Sequence, residues 1–345
     1  MKAVTITVLV TTYNHEKFIL DCAKSIVNQT RKPDKIILAD DNSIDNTIKK
    51  FQEIIPSAII SSTSQNNGAL INTRNGLKFA HDSDVVCFLD GDDVWHENKL
   101  ERVEQEFAND PNLLLLTHKH IRCDAKLNIL NISDDTHENI NRIKTLPARL
   151  QNEKFRESAL MRRGFWFGSA YSIRLKEKYL NTFDEYIINH ELIKYAYFDL
   201  VFGPFVIALN EEMKVKYVDD VFFKYRMHDS GSGDAQNLNK QIEVFKRLQA
   251  NNIITLDLLK KLSISENLKK RYEILIKEHQ YLIDLYTLKK GMLKEALQFV
   301  GYFIHKKILI KEVLRFLSIV IIGPNKSIVF KNKLSYLFRK ITKIL

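Results

Sequence analysis

Residues 88–95 read Phe-Leu-Asp-Gly-Asp-Asp-Val-Trp, so three carboxylates, Asp90, Asp92 and Asp93, fall within four positions. Carboxylates this close repel one another, and they are not left buried without a donor or a positive charge. As an isolated triplet they fit a solvated turn that caps a helix begun at VWHENKLERV. In an extended segment, by contrast, alternate side chains point the same way. Asp90 and Asp92 would then face one side together and share a cation, with Asp93 left as the helix cap.

Which reading holds depends on the elements around the acids. Residues 5–10 have the composition of a buried strand, and after TTYN the apolar residues Phe18, Ile19, Cys22, Ala23, Ile26 and Val27 recur at helical spacing. KIILAD (35–40) is a second short apolar run, followed by the turn-rich, capping-rich DNSIDNT and the helical IKKFQEII. AIISS (58–62) predicts a third strand, NTRNGLKFA a helix, and DVVCFLD (84–90) a fourth strand. Strands alternating with helices at this spacing imply an α/β fold, a mostly parallel sheet flanked by helices. Ligands of such sheets bind beyond the carboxyl ends of the strands. The polar clusters 11–14, 40–42 and 90–93 all fall there. Residues 110–235 are mixed, with a glycine–aromatic patch RRGFWFGSAYSI, an acid-bearing segment YAYFDLVFG and a late strand within VKYVDDVFFKYRMHDSGSGD. From about residue 237 the pattern is helical.

Taken in order, TVLVTTYN, KIILADDNSIDNT, NNGALINTRN, FLDGDDVW and YRMHDSGS resemble the glycosyltransferase family 2 pattern over roughly residues 4–235. That resemblance implies a GT-A, Rossmann-like catalytic domain at 1–235, with a nucleotide-binding half at about 1–110 and an acceptor-side half at about 111–235. A helical, basic region would follow at 236–345. It also implies inverting transfer of a sugar from a nucleotide diphosphate donor, with Mn²⁺ or Mg²⁺ as cofactor. A hard cation prefers carboxylate oxygens and accepts phosphate and water in the rest of its shell, which suits Asp90 and Asp92. Carried over by the same resemblance, Thr11, Tyr13, Asp41, Arg74 and Asp90 hold the nucleotide. Asp92, Asp90 and His228 hold the metal. Tyr13 offers a ring face, and Asp41 can accept from a pyrimidine N–H, as uracil presents. An inverting transfer needs a base for the incoming hydroxyl. Asp199 is the expected one, although Phe198 precedes it where the family often has an acid. Asp184, Glu185, Glu191, Asp219 and Asp220 compete for that role. Trp166, Gly168 and Arg226 are expected to line an acceptor or donor-sugar pocket.

Composition narrows the alternatives. Ten Lys/Arg against one acid, Glu312, give residues 301–345 a net +9 of the chain's +10. That segment mixes Leu, Ile and Phe with its bases and suits either an anionic membrane surface or a helical cap. No nucleic-acid motif accompanies it, so nucleic acid is not an expected partner. No run reaches the ~20 apolar residues of a membrane span. The first residues read as a strand, not a secretory leader. Three scattered cysteines fit a reducing compartment, so a cytoplasmic protein, peripheral on the inner membrane face, is the expectation. Its partners would be a nucleotide sugar and a saccharide or lipid-linked acceptor. A sugar nucleotidyltransferase would need a glycine-rich phosphate loop after the first strand, which TTYNHE lacks. A non-catalytic membrane scaffold of the same fold would have no need of the retained acids.

Overall fold

The computed structural model describes residues 4–130, 136–160, 168–210, 212–229, 231, 238–262 and 266–287. Trp166 and the basic segment 301–345 lie outside the described residues. In chain order the elements are β1 (Ile6–Thr12), α1 (Ile19–Val27), β2 (Lys35–Asp40), α2 (Thr47–Ile54), β3 (Ile59–Ser62) and α3 (Ala69–Leu77). Next come β4 (Val85–Asp90), β5 (Val94–Trp95), α4 (Lys99–Asn109), β6 (Leu113–Cys123), α5 (Thr136–Lys144) and α6 (Ala148–Leu160). Then follow β7 (Ser172–Arg174), α7 (Glu177–Ile187), α8 (Phe198–Ala208), β8 (Lys214–Arg226), α9 (Leu238–Lys261) and α10 (Glu266–Thr287).

The strands form one mixed, eight-stranded sheet in the order β3-β2-β1-β4-β7-β6-β8-β5. β3, β2, β1 and β4 run parallel, as the strand–helix alternation predicts. Beyond β4 the sheet departs from a parallel array. β7 pairs antiparallel with both β4 and β6, β8 returns parallel to β6, and the two-residue β5 closes the edge antiparallel to β8.

Both faces of the sheet are covered. One core cluster gathers Leu9, Ile37, Val86 and Phe88 with residues of α3, α7 and α8; the other gathers Val8, Val10, Leu38, Cys87 and Leu89 with residues of α1, α2 and α4. Burial on both faces explains why β1, β2 and β4 read as unbroken apolar runs and not as alternating ones. Cys22, Cys87 and Cys123 are free and buried. The parallel register sets Thr11 beside Asp90 and Thr12 beside Asp40, so the polar clusters seen in the sequence do share one end of the sheet.

The chain divides into two compact units. The first comprises residues 1–228 with 254–269, and the second 229–253 with 270–345. The end of α9 and the start of α10 belong to the first unit, where Ile254 and Leu258 join its core. Within the second unit, Phe245 packs on Tyr286 at 5.4 Å and Asn252 meets His279 at 3.1 Å. Among the described residues no helix is long and apolar enough to cross a membrane.

α3 lies close on the sheet because it has no side chain at Gly76. A Cβ there would stand 2.5 Å from Leu9 Cδ1 and 2.9 Å from Ala39 Cβ. Gly-to-Ala in a helix gains up to about 1 kcal/mol of propensity, whereas overpacking a tight core costs about 1–3 kcal/mol. Ala39 is strand-borne and cannot swing aside, so the packing cost is expected to win. Gly76→Ala should lower the urea midpoint at unchanged slope; a midpoint at or above wild type would show that α3 has room to move.

Candidate active site

Three strand ends build the site. Two of them are turned off their strands by a residue that tolerates an unusual backbone. Asn14 (φ 54°) after β1 and Asn42 (φ 66°) after β2 both take the left-handed conformation, which asparagine adopts more easily than most residues. The loops are then stitched together: Asn14 N donates to Ser43 Oγ at 2.8 Å, Ile44 N to Asn14 Oδ1 at 2.9 Å, and Asp41 N to Thr12 O at 3.0 Å. Tyr13 is left 44% exposed, with its ring free for contact. Asp41 is buried, and its two oxygens accept from Asn67 N at 2.8 Å and Gly68 N at 2.9 Å. Gly68 has φ +91°, and a Cβ there would stand 2.3 Å from Lys194 O, so only glycine serves at this point.

At the end of β4, Gly91 N donates to Thr11 O at 2.8 Å and Thr11 Oγ1 donates to Asp90 Oδ1 at 2.7 Å. Gly91 admits the close approach of the β1 loop, because a Cβ there would lie 2.8 Å from His15 Nδ1 and 2.9 Å from Thr12 Oγ1. Asp90 opens to solvent, whereas Asp93 is 2% exposed. Asp92 Oδ2 lies 3.0 Å from His228 Nε2 and 3.7 Å from His15 Nε2, so this carboxylate sits between two imidazoles. His15 stands out only in the structure, since a lone histidine after TTYN carries no signal of its own.

The second half of the sheet adds the remaining acid. Asp199 lies in the first turn of α8, half-buried. A Cβ on Gly168 would stand 3.8 Å from Asp199 Cβ and 3.9 Å from Asp90 Oδ2, so these two acids face one glycine. Three of the five competing acids are engaged elsewhere. Asp184 forms a two-pronged pair with Arg74, Asp219 pairs with Lys119 and Lys144, and Asp220 pairs with Arg102.

A family model, Glycosyl transferase family 2, matches residues 7–168. Residues 7–168 are a glycosyl transferase family 2 domain. An uncharacterized glycosyltransferase of Nostoc sp. is 31% identical over 121 residues, 34% of this chain and 37% of that protein. The UDP-Glc:alpha-D-GlcNAc-diphosphoundecaprenol beta-1,3-glucosyltransferase WfgD of Escherichia coli is 34% identical over 97 residues, 28% of this chain and 38% of that protein. The chain thus spans little more than a third of the length of these curated relatives. Among solved structures, S. aureus TarS 1–349 matches with a TM-score of 0.52 over 97% of this chain and 91% of that one, at 13% identity. That likeness concerns the fold, which is GT-A-like.

Three residues of the family 2 domain and its continuation sit differently from expectation. Asp93 is not a helix cap. α4 starts only at Lys99, with Asn98 before it, and the Asp93 carboxylate instead accepts from Arg226 N at 2.9 Å and Ser169 Oγ at 2.6 Å. Arg226 does not line a pocket. It is 3% exposed and lies behind the acids, donating to Asp92 O at 2.7 Å, Ala125 O at 2.8 Å and Asp21 Oδ2 at 3.0 Å, with Phe18 under its guanidinium. Arg74 spends its guanidinium on Asp184, a link from α3 to α7.

The electrostatics of the three acids differ. Crowding by protein atoms first, and the Asp92 charge second, push the Asp90 carboxyl up to about 6, against the pull of Thr11 and His15. Burial, then the Asp92 and Asp90 charges, push Asp93 well up. Burial also opposes ionisation of Asp92, but His15 and His228 overcome it and hold that carboxyl below its ordinary value.

For Asp90 the sign follows directly. Its folded value lies above the unfolded value of about 3.9, so its contribution is fully present below pH 4 and is lost as pH rises through about 6. Asp90→Asn removes that charge while keeping an acceptor for Thr11. The melting temperature of the metal-free variant is expected to exceed wild type at pH 7, with the difference shrinking toward zero by pH 4. A difference that is equal at both pH values would remove the charge-crowding account.

Proposed function

We propose that this protein is a metal-dependent, inverting glycosyltransferase. It would move a sugar from a nucleotide diphosphate sugar, UDP-linked, to a saccharide or lipid-linked saccharide in cell-surface polysaccharide synthesis. One observation supports this most: in a chain carrying a family 2 domain, Asp90 and Asp199 face the same glycine, at the sheet end where Tyr13 and Asp41 also stand. The E. coli relative, named for a UDP-glucose donor and a diphosphoundecaprenol-linked acceptor, favours the same donor and acceptor classes here. The basic, Leu/Ile-rich segment 301–345 suits the anionic lipid surface on which such an acceptor is carried.

The residues present fit a divalent cation, Mn²⁺ or Mg²⁺. Three carboxylates crowd one turn, and an added cation would relieve the mutual repulsion that, after burial, helps to raise Asp90 and Asp93. Among the described residues no three His, Cys, Asp or Glu side chains already converge as a metal shell. Asp92 and Asp90 would therefore supply part of the shell beside His228, leaving the rest to phosphate and water. When bound, the cation neutralises charge developing on the leaving diphosphate.

The chain's own residues do the remainder. Tyr13 presents its exposed ring to the base. Asp41, though it already holds two backbone amides, is a carboxylate with about four acceptor sites and can take a pyrimidine N–H as well. Asp199, in the first turn of α8 with its Cβ against the Gly168 that Asp90 also approaches, accepts the proton of the attacking acceptor hydroxyl. Attack opposite the leaving group inverts the anomeric centre.

Two variants divide these roles. Asp92→Asn is expected to keep the far-UV circular dichroism of wild type and lose Mn²⁺-stimulated donor hydrolysis; undiminished stimulation sinks the metal assignment. Asp199→Asn is expected to bind UDP like wild type while transfer falls by about 10²–10⁴-fold, the usual weight of a general base. Transfer surviving in that variant would place the base on another acid. The donor itself is found by screening nucleotide sugars with and without Mn²⁺ by thermal shift and hydrolysis.

A further inference from the structure

Lys99 is the most anomalous charge in the first unit. It opens α4 and is 0% exposed, although lysine almost never buries completely without a partner. No carboxylate lies within ion-pair distance of it among the described residues. Its Nζ instead donates to Ser169 O at 2.7 Å and rests 3.8 Å from the centre of the Trp95 ring. Trp95 Nε1 donates to the same carbonyl at 2.9 Å. Burial pushes the ammonium down to about 7, opposed by the nearby Cys87 and Asp93. A group kept at that cost holds something in place.

Ser169 is what it holds, and Ser169 is the hub of the acidic turn. While its carbonyl is pinned from below by Lys99 and Trp95, its hydroxyl donates to Asp93 Oδ2 at 2.6 Å, accepts from Asp90 N at 3.0 Å and lies 3.4 Å from Asp90 Oδ2. The preceding residue is Gly168, the one that Asp90 Oδ2 and Asp199 Cβ both approach within 4 Å of a would-be Cβ. One short turn, Gly168–Ala170, therefore meets the buried Lys99 on one side and Asp90 and Asp199 on the other.

We propose that Lys99, acting through Ser169, is a positioning residue that sets where Asp90 stands relative to Asp199. The inference rests on the roles proposed above for those two acids. Ammonium and indole together fix the carbonyl of Ser169 by two directed bonds, which an apolar side chain of equal size cannot do. With the carbonyl fixed, the hydroxyl direction is fixed, and with it the main chain at Asp90. Sub-ångström placement matters here, since a shift of about 1 Å in a reacting group can cost about 10²-fold in rate.

The test compares wild type, Lys99→Met and Ser169→Ala, using the donor identified by screening. Lys99→Met removes the cation at similar volume. Ser169→Ala removes only the hydroxyl and keeps the carbonyl for Lys99 and Trp95, so it remains informative should the methionine variant fold poorly. The folded fraction is read by circular dichroism. Both variants are expected to lose about ten- to a hundredfold in kcat per folded molecule, with donor KM within about threefold of wild type. A purely structural lysine would lower the folded fraction and leave kcat per folded molecule unchanged, and that result overturns the proposal. Failure of the underlying functional reading looks different: wild type itself then turns over no nucleotide sugar. In that case crystal structures decide, and a Gly168–Ala170 turn and an Asp90–Asp199 spacing unchanged in both variants overturn the positioning role, whereas a displaced turn upholds it.

Discussion

Mutual repulsion among Asp90, Asp92 and Asp93 is the constraint around which this end of the molecule is arranged. Each acid is answered by a different device. Asp92 lies between the imidazoles of His15 and His228. Asp93, buried, receives a backbone amide from Arg226 and a hydroxyl from Ser169. Asp90 accepts from Thr11, and crowding by protein atoms with the Asp92 charge still holds its carboxyl above the ordinary value. The Arg226 guanidinium ties Asp92's carbonyl to Asp21 on α1 and to Ala125 after β6, so the acidic turn is braced from two sides.

That bracing joins chain segments far apart in sequence. The parallel strands bring β1, β2 and β4 to one edge, but they contribute neither Asp199 nor Ser169. Ser169 arrives because β7 inserts antiparallel between β4 and β6, carrying the Gly168–Ala170 turn beside Asp90, and Asp199 comes from the first turn of α8. Two further contacts draw the halves of the sheet together: the Arg74–Asp184 pair between α3 and α7, and the closeness of Gly68 to the Lys194 carbonyl, which leaves no space for a side chain. A half-buried, two-pronged arginine–carboxylate pair of this kind adds geometric specificity more than stability.

Much of this was legible in the residues. Apolar runs bounded by turn residues placed β1, β2, β3 and β4 to within two residues, because burial on both faces leaves an unambiguous mark. The common end of the polar clusters followed from the strand–helix alternation. What misled was locality. Asp93 has the look of a helix cap because it lies shortly before a helical stretch, yet its partners are 76 and 133 positions away. Arg226 and Arg74 look free to meet a ligand because the partners they take lie far away in sequence.

Sequence by itself therefore determined the strand-ordered half of this protein and the presence of an acidic turn at its ligand-binding end, since both depend on short-range periodicity and on residues adjacent in the chain. Tertiary structure alone decided which charges cancel within the protein and which are left over. Long side chains such as Arg74, Lys99 and Arg226 choose partners by distance through space, and in a poorly hydrated interior a few ångströms separate a satisfied ion from an unmet one.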